Sequence, residues 1–214
     1  MQFHCIDYLY KFAEKILRMQ IYLFLFLIIY FFFVFFLRSY LLWKRTGVNP
    51  LTFSKSDDAH GYNGKVFKFI SLLEFVVVFI YAFKSEWYQY LLPFWYLENS
   101  YLQFIGWGLL LLSLVFVWTA QSQMANSWRI GIDEQHKTEL VTNGLFSYSR
   151  NPIFLGVMIA NFGLFLIIPN AFTLLILSLS TVSINTQIRL EEAFLKTTHG
   201  KAYEQYLNKV RRWI

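Results

Sequence analysis

The stretch Ile21–Leu37 reads IYLFLFLIIYFFFVFFL, and none of its side chains carries a charge. At about 1.5 Å per residue, a helix of this length nearly crosses a hydrocarbon core of about 30 Å. Basic residues precede the run, as in a signal peptide, but the apolar part is too long for one and no small-residue cleavage site follows it. We therefore expect a retained membrane span over residues 19–37.

The composition of the whole chain agrees with this expectation. Of its 214 residues, 57% are hydrophobic and only 15% are charged, whereas soluble domains are near 25% charged. Further apolar runs cover about 66–83, 101–120, 152–168 and 171–186, and Pro169-Asn170 separates the last two. The sequence thus predicts an all-α integral membrane protein with about five transmembrane helices, of which the last two form a short helical hairpin.

Two regions follow from this pattern. Residues 1–120 hold three spans and their loops, including a polar connection over 38–65, and residues 121–214 hold the motifs that carry chemistry. Near the end of the chain, Tyr203, Tyr206, Leu207 and Val210 repeat at helical spacing after a stop at His199-Gly200. We expect an amphipathic C-terminal helix there, lying on the membrane or on the cytoplasmic face of the protein.

The distribution of lysine and arginine predicts the orientation. With an external N-terminus, the cytoplasmic segments 38–68, 121–150 and 188–214 contain fifteen of these residues, and the external segments contain four. Lysine and arginine are enriched in cytoplasmic loops, so the C-terminus is predicted to be cytosolic. The many Phe, Ile and Lys residues and the few prolines favour a bacterial inner membrane.

Several classes of site are excluded or left open by the residue counts. The chain has one cysteine and four scattered histidines, which predicts neither an intramolecular disulfide nor a metal site. The net charge of +6 is explained by basic residues at span ends, so we expect no nucleic-acid partner.

Glu74 lies inside the second apolar run and must face the bundle interior or a polar partner; a structural hydrogen bond and a site role both remain open.

The segment Glu139–Gly156 reads ELVTNGLFSYSRNPIFLG and introduces the hairpin. Gly144 permits a tight turn, and Pro152 suits the first turn of a helix, whose N-terminal end attracts anionic groups. Arg150 offers a forked donor for a carboxylate or phosphate. Arg189-Leu190-Glu191-Glu192 follows the hairpin and can accept bonds from an amine or a ribose hydroxyl. These groups suit a zwitterionic nucleoside ligand, although from their chemistry alone a membrane anchor, a helix start and a solvated helix face are the favoured explanation.

The run LVTNGLFSYSRNPIFLG and the later EEAFL and HGKAYEQYLNKV resemble the two linked motifs of the isoprenylcysteine carboxyl methyltransferase family, within the wider group of membrane phospholipid methyltransferases. The resemblance covers about residues 121–214. It implies a multi-span enzyme that binds S-adenosylmethionine in a pocket open to the cytosol and takes a lipidic or small hydrophobic acceptor from the bilayer. Carried over by position, the cofactor contacts are Thr138, Glu139, Leu140, Val141, Phe146, Arg150, Asn151, Pro152, Ile153, Phe154 and Glu191.

The chain departs from that family at several positions. Asn151 stands in place of histidine in Arg-His-Pro, Phe146 and Phe154 replace tyrosines, and Thr138 also differs. Gln187 stands at the position where the family has an arginine that contacts the substrate, and Arg189 is nearby in the sequence. Candidate catalytic residues are therefore Arg189, Glu192 and Gln187; an amine acceptor would need a base, for which Glu192 or His136 qualifies.

The methyl acceptor and the oligomeric state are left open. Prenylcysteine, phospholipid amine and small thiol acceptors all remain candidates. Two alternatives to a methyltransferase also remain: an inactive relative that kept the fold, and an NADPH-dependent sterol-reductase-like enzyme.

Overall fold

The computed structural model describes residues 19–48, 58–130 and 139–214. Its architecture is all-α, as predicted, and its helices are α1 Met19–Thr46, α2 Ala59–Phe83, α3 Ser100–Met124, α4 Pro152–Ile167, α5 Ala171–His199 and α6 Lys201–Lys209. Within the described parts of the chain, α1, α2, α5 and Ser100–Ser127, which comprises α3 and one further turn, are long and apolar enough to cross a membrane. The shorter, apolar α4 completes the predicted hairpin with α5, so the protein is an integral membrane protein.

All of the membrane helices except α4 are longer than the apolar runs that predicted them. The first helix continues from residue 37 to Thr46, the second begins at Ala59, and the fifth continues from residue 186 to His199. The polar connection predicted over 38–65 and the charged cluster after residue 186 are thus partly helical. Backbone hydrogen bonds within a helix need no apolar side chains, so a helix can extend beyond the hydrocarbon until a residue stops it. Gly47, with a φ of 70°, is such a stop.

The core lies among four long helices and the hairpin. Leu23 and Val34 from α1, Val77 from α2 and Val117 from α3 are almost fully buried, as is Ile176 from α5. By contrast, the outward faces carry large apolar side chains such as Phe36, Leu72 and Val115. Exposed apolar surface of this kind is expected where lipid, not water, surrounds the protein.

Helices α3 and α4 approach each other very closely. A methyl group added at Gly106 would lie 2.7 Å from the carbonyl oxygen of Gly163, and one added at Gly163 would lie 2.9 Å from that of Gly106. Ser113 on α3 also donates a hydrogen bond of 2.7 Å to the Gly156 carbonyl of α4. Small residues and such polar bonds are typical of helix packing inside membranes.

The two ends of the bundle are chemically different. At one end, the loop after α2 meets the hairpin turn, because the Phe94 amide donates to the Pro169 carbonyl at 2.8 Å and the Ala171 amide to the Leu92 carbonyl at 3.2 Å. The opposite end holds Glu139–Gly156 and the last turns of α5. The two predicted motifs therefore lie on the same side of the bundle.

Candidate functional site

The turn that opens the motif is held by the end of α3. Gly144 has a φ of 61°, a left-handed conformation that favours glycine. The neighbouring Leu145 amide donates to the Gln123 side chain of α3 at 2.8 Å, and a methyl group added at Gly144 would collide with that same side chain. The motif is thereby fixed against the C-terminal end of α3.

The C-terminal segment lies along the motif and fixes its second half. The Arg150 amide donates to the Arg211 carbonyl at 3.0 Å, and the Asn151 side-chain amide donates to the Arg212 carbonyl, also at 3.0 Å. The Tyr206 hydroxyl of α6 donates to the Phe146 carbonyl at 2.6 Å. Residues near both ends of the motif are thus bonded to the part of the chain that runs from α6 to the C-terminus.

The predicted amphipathic helix therefore packs on the protein. Tyr203 is 1% exposed and Tyr206 is 7% exposed, whereas Leu207 is an exposed side chain, and Val210 lies beyond the end of α6. Of the four residues that predicted the apolar face, two are buried. Burial raises the pKa of the Tyr203 phenol to about 12, so this hydroxyl is neutral at physiological pH.

Glu192 is held by two arginines. Arg212 donates to both of its oxygens, at 3.0 Å and 2.6 Å, and Arg150 donates at 2.9 Å. Arg150 also donates to the carbonyls of Leu207 and Val210. The hydrogen bonds to Glu192 raise the pKa of Arg212 above its ordinary value. Arg150 was predicted to donate hydrogen bonds to an anionic ligand, and Glu192 was predicted as a base. In the structure these two side chains bind each other.

Glu191 belongs to a separate chain of polar side chains. It accepts a hydrogen bond of 3.0 Å from Gln187, one turn earlier on α5. Gln187 accepts a bond of 3.0 Å from Asn63 of α2, and Asn63 exchanges bonds with Ser183, accepting from its hydroxyl at 2.7 Å and donating to its carbonyl at 3.1 Å. The side chain of Gln187 also lies 3.5 Å from His60. Gln187 therefore orients Glu191 and is itself positioned from α2.

Two spaces open around these side chains. We call the first the membrane cavity: it has a volume of about 440 Å³, is lined mostly by apolar side chains of α1, α2 and the hairpin, and includes Gln187 and Glu191. We call the second the polar pocket: it has a volume of about 110 Å³ and lies between the motif, the end of α5 and the tyrosines of α6. Both spaces are lined by Met124, Ile153, Phe154 and Glu191, so they meet at those residues.

The structure brings most of the predicted cofactor residues together. Thr138 and His136 lie outside the described residues. The polar pocket is lined by Glu139, Leu140, Val141, Phe146, Arg150, Asn151, Pro152, Ile153, Phe154 and Glu191. The three predicted catalytic residues separate, because Glu192 lines the polar pocket, Gln187 lines the membrane cavity and Arg189 is exposed and lines neither.

Ser183, Asn63 and Arg212 were not predicted as residues of the site. Ser183 recurs with the predicted Gln187 and Glu191 every four residues along α5, a polar stripe in an apolar helix that could have identified the bonded chain. Asn63, at the start of an apolar span, is a similar signal. Arg212 gave no local signal, since its partner Glu192 is twenty residues away.

Comparisons with known proteins match the part of the chain that contains the motifs. Residues 101–202 match the family model described as phospholipid methyltransferase. A region of 72 residues is 38% identical to a protein-S-isoprenylcysteine O-methyltransferase of Schizosaccharomyces pombe. The matched region covers 33% of this chain and 30% of that relative, so the chain is matched to less than a third of the relative's length.

Proposed function

We propose that this protein transfers a methyl group from S-adenosylmethionine to a lipidic acceptor. The match of residues 101–202 to the phospholipid methyltransferase family model and the similarity to an isoprenylcysteine O-methyltransferase support the proposal. One observation carries the proposal most directly. The polar pocket, lined by the motif, and the membrane cavity meet at Glu191, Ile153, Phe154 and Met124. An enzyme of this kind must bring a water-soluble donor and an apolar acceptor into contact, and these four residues form such a junction.

The side chains of the polar pocket fit a cationic nucleoside. Glu139 and Glu191 supply carboxylates, which can accept bonds from an amine or ribose hydroxyls. Phe146, Phe154 and Tyr203 supply aromatic rings for an adenine ring and for a positive charge. The pocket's own 110 Å³ is below the 300–1,000 Å³ typical of ligand sites, but it adjoins the larger cavity through shared walls.

When bound, S-adenosylmethionine would supply a methyl group on a positively charged sulfur, which an acceptor lone pair takes while the carbon–sulfur electron pair stays on sulfur. The protein's task is then to align the two reactants and to exclude water. The apolar walls of the membrane cavity exclude water from the acceptor's side. A carboxylate or thiolate acceptor needs no proton removed, whereas an amine acceptor would release one.

We assign each predicted residue a role within this proposal. Glu191 binds the cofactor's polar groups, and Gln187 is a positioning residue that holds the Glu191 carboxylate in place. The cofactor-contacting set is Thr138, Glu139, Leu140, Val141, Phe146, Asn151, Pro152, Ile153, Phe154 and Glu191. Arg150 and Glu192 are assigned to holding the C-terminal segment against the motif, since their charged groups already bind each other. Arg189 is assigned to contact the headgroup of the acceptor at the cytosolic surface.

The two alternative hypotheses are separated by ligand binding. Neither comparison supports a reductase, whereas an inactive relative would keep the fold and lose turnover. Calorimetric titration of the detergent-purified protein with S-adenosylhomocysteine, and in parallel with NADPH, distinguishes the cofactors. We expect micromolar binding of the first and none of the second. Binding of NADPH alone would overturn the proposal.

A pair of glutamate variants locates the binding site. We expect Glu191→Ala to abolish the heat of S-adenosylhomocysteine binding, because the carboxylate at the junction is lost. The control is Glu204→Ala, which removes an exposed carboxylate from α6 and should leave the affinity unchanged. Unchanged affinity in Glu191→Ala, in a sample that unfolds at the wild-type temperature, would remove Glu191 from the site.

A further inference from the structure

The membrane cavity is lined by polar side chains that no other described residue bonds. Glu74 on α2, Asn161 on α4 and Ser180 on α5 all line it, and each is more than 90% buried. Among the described residues, none of the three has a hydrogen bond or an ion pair. Other buried polar side chains in these helices do have partners, as Asn63 and Ser183 show.

Unsatisfied polar groups inside a membrane are expensive. A carboxyl group in hydrocarbon costs several kcal/mol unless it reaches a partner, and buried side-chain polar atoms are hydrogen-bonded in the large majority of cases. A structural role for Glu74 would require a neighbour that accepts or donates a bond. The Tyr30 hydroxyl of α1 is close enough to interact electrostatically with Glu74, but its hydrogen bond is to Ser113. Among the described residues no side chain bonds Glu74, so the partner is expected to come from the molecule that fills the cavity.

Glu74 lies far from the site of methyl transfer. It is eleven residues beyond Asn63 on α2, which corresponds to about 16 Å along the helix axis. Asn63 contacts Gln187, and Glu191 lies one further turn toward the cytosol on the antiparallel α5. The two glutamates are therefore separated by about 22 Å along the bundle, and both line the membrane cavity.

We propose that Glu74 is the centre of a second binding subsite, which recognises a hydrogen-bond-donating group, a hydroxyl or an ammonium, near the end of a long apolar acceptor remote from its methylated end. Asn161 and Ser180 contribute further polar contacts along the same cavity. This inference rests on the proposed function and narrows its acceptor to an elongated molecule that is polar at both ends. A single-headed lipid would leave Glu74 without a partner.

The experiment compares two fatty acids that differ in one terminal hydroxyl. Hexadecanoate and 16-hydroxyhexadecanoate are each titrated against the detergent-purified full chain, and displacement of the fluorescent cis-parinaric acid reports their affinities. We expect the hydroxylated acid to bind about five- to tenfold more tightly, the effect of one net hydrogen bond. Equal affinities in the wild-type protein would overturn the proposal.

Variants at Glu74 test the residue itself. Glu74→Leu removes the polar group and should abolish the preference for the hydroxylated acid, whereas Glu74→Gln can still accept a bond and should keep most of it. Glu98→Gln is the control, since Glu98 bonds to Tyr88 in the loop after α2 and is absent from the cavity lining. Persistence of the full preference in Glu74→Leu would exclude Glu74.

A serine pair provides a second, gentler test. Ser180→Ala removes a hydroxyl that lines the cavity, while Ser178→Ala removes one that is exposed and bonded to the Leu174 carbonyl of the same helix. Only Ser180→Ala should lower the affinity for 16-hydroxyhexadecanoate. Because S-adenosylhomocysteine plays no part in these titrations, failure of the subsite and failure of the methyltransferase proposal give different results.

Discussion

Arg212 binds Glu192 in a bidentate manner, with its Nε 3.0 Å from one carboxylate oxygen and an Nη 2.6 Å from the other. Arg150 donates to the same carboxylate at 2.9 Å. Arg150 follows the turn of the motif, Glu192 is near the end of α5 and Arg212 is in the C-terminal segment. One carboxylate therefore joins three parts of the chain around the polar pocket.

We expect Arg212→Ala to reduce the free energy of unfolding by about 1–2 kcal/mol, because the bond is charged and bidentate but the arginine is partly exposed. Glu192→Ala should cost more, about 3 kcal/mol, since it leaves two arginines without their shared partner. Thermal unfolding in constant detergent measures both. Arg211→Ala is the matched control, as that side chain is exposed. Equal stability of the Arg212 and Arg211 variants would contradict this role.

The contact between α3 and α4 gives a second prediction. Gly106→Ala should strongly destabilise the protein or prevent its folding, because the added methyl would meet the Gly163 carbonyl oxygen and Ile167, each at 2.7 Å. Gly108→Ala, two residues away on the same helix, meets nothing within 4 Å and should be neutral or slightly stabilising, since alanine favours helix. The yield of folded monodisperse protein and the unfolding temperature check both variants. Similar behaviour of the two would refute the close approach.

The helices of the membrane region could be predicted from the sequence because the bilayer imposes one requirement on every span. Inside the bilayer an uncharged run such as Ile21–Leu37 must satisfy all its backbone hydrogen bonds, and a helix does so within the segment itself. The ends of the helices were missed because their polar turns carry no such constraint. The stop at Gly200, in contrast, was predicted. Its positive φ of 50° favours glycine, but its ψ of −124° differs from the left-handed helical cap that was expected.

The candidate site could be predicted only in part, because some of its hydrogen bonds join residues that are far apart in the sequence. Motif residues such as Asn151 and Ile153 are near each other in sequence, so their common pocket follows from a turn and a helix start. The bond between Asn63 and Gln187 joins residues 124 apart, and that between Arg150 and Val210 joins residues 60 apart. Such partners depend on how the helices pack, which periodicity along one segment does not encode.

Gln187 provides a third prediction, concerning its positioning role. Gln187→Leu removes the bond that orients Glu191, so the affinity for S-adenosylhomocysteine should fall about three- to tenfold, less than in Glu191→Ala. Gln187→Glu can donate the same bond only while it is protonated and Glu191 is ionised, so its affinity should pass through a maximum at intermediate pH. Gln205→Leu on the exposed face of α6 is the control. A structural role alone would lower the unfolding temperature without this pH-dependent maximum.

The orientation of the bundle gives the last prediction. We propose that the C-terminus is cytosolic, because segments 38–68, 121–150 and 188–214 carry fifteen of the nineteen lysine and arginine residues. In a Cys5→Ser background, Asn208→Cys should resist a membrane-impermeant thiol reagent in intact cells and react after the cells are opened. Glu98→Cys, in the loop at the opposite end of the bundle, should react in intact cells. The reverse pattern would invert the topology and move the polar pocket, with its cofactor, to the side where S-adenosylmethionine is not made.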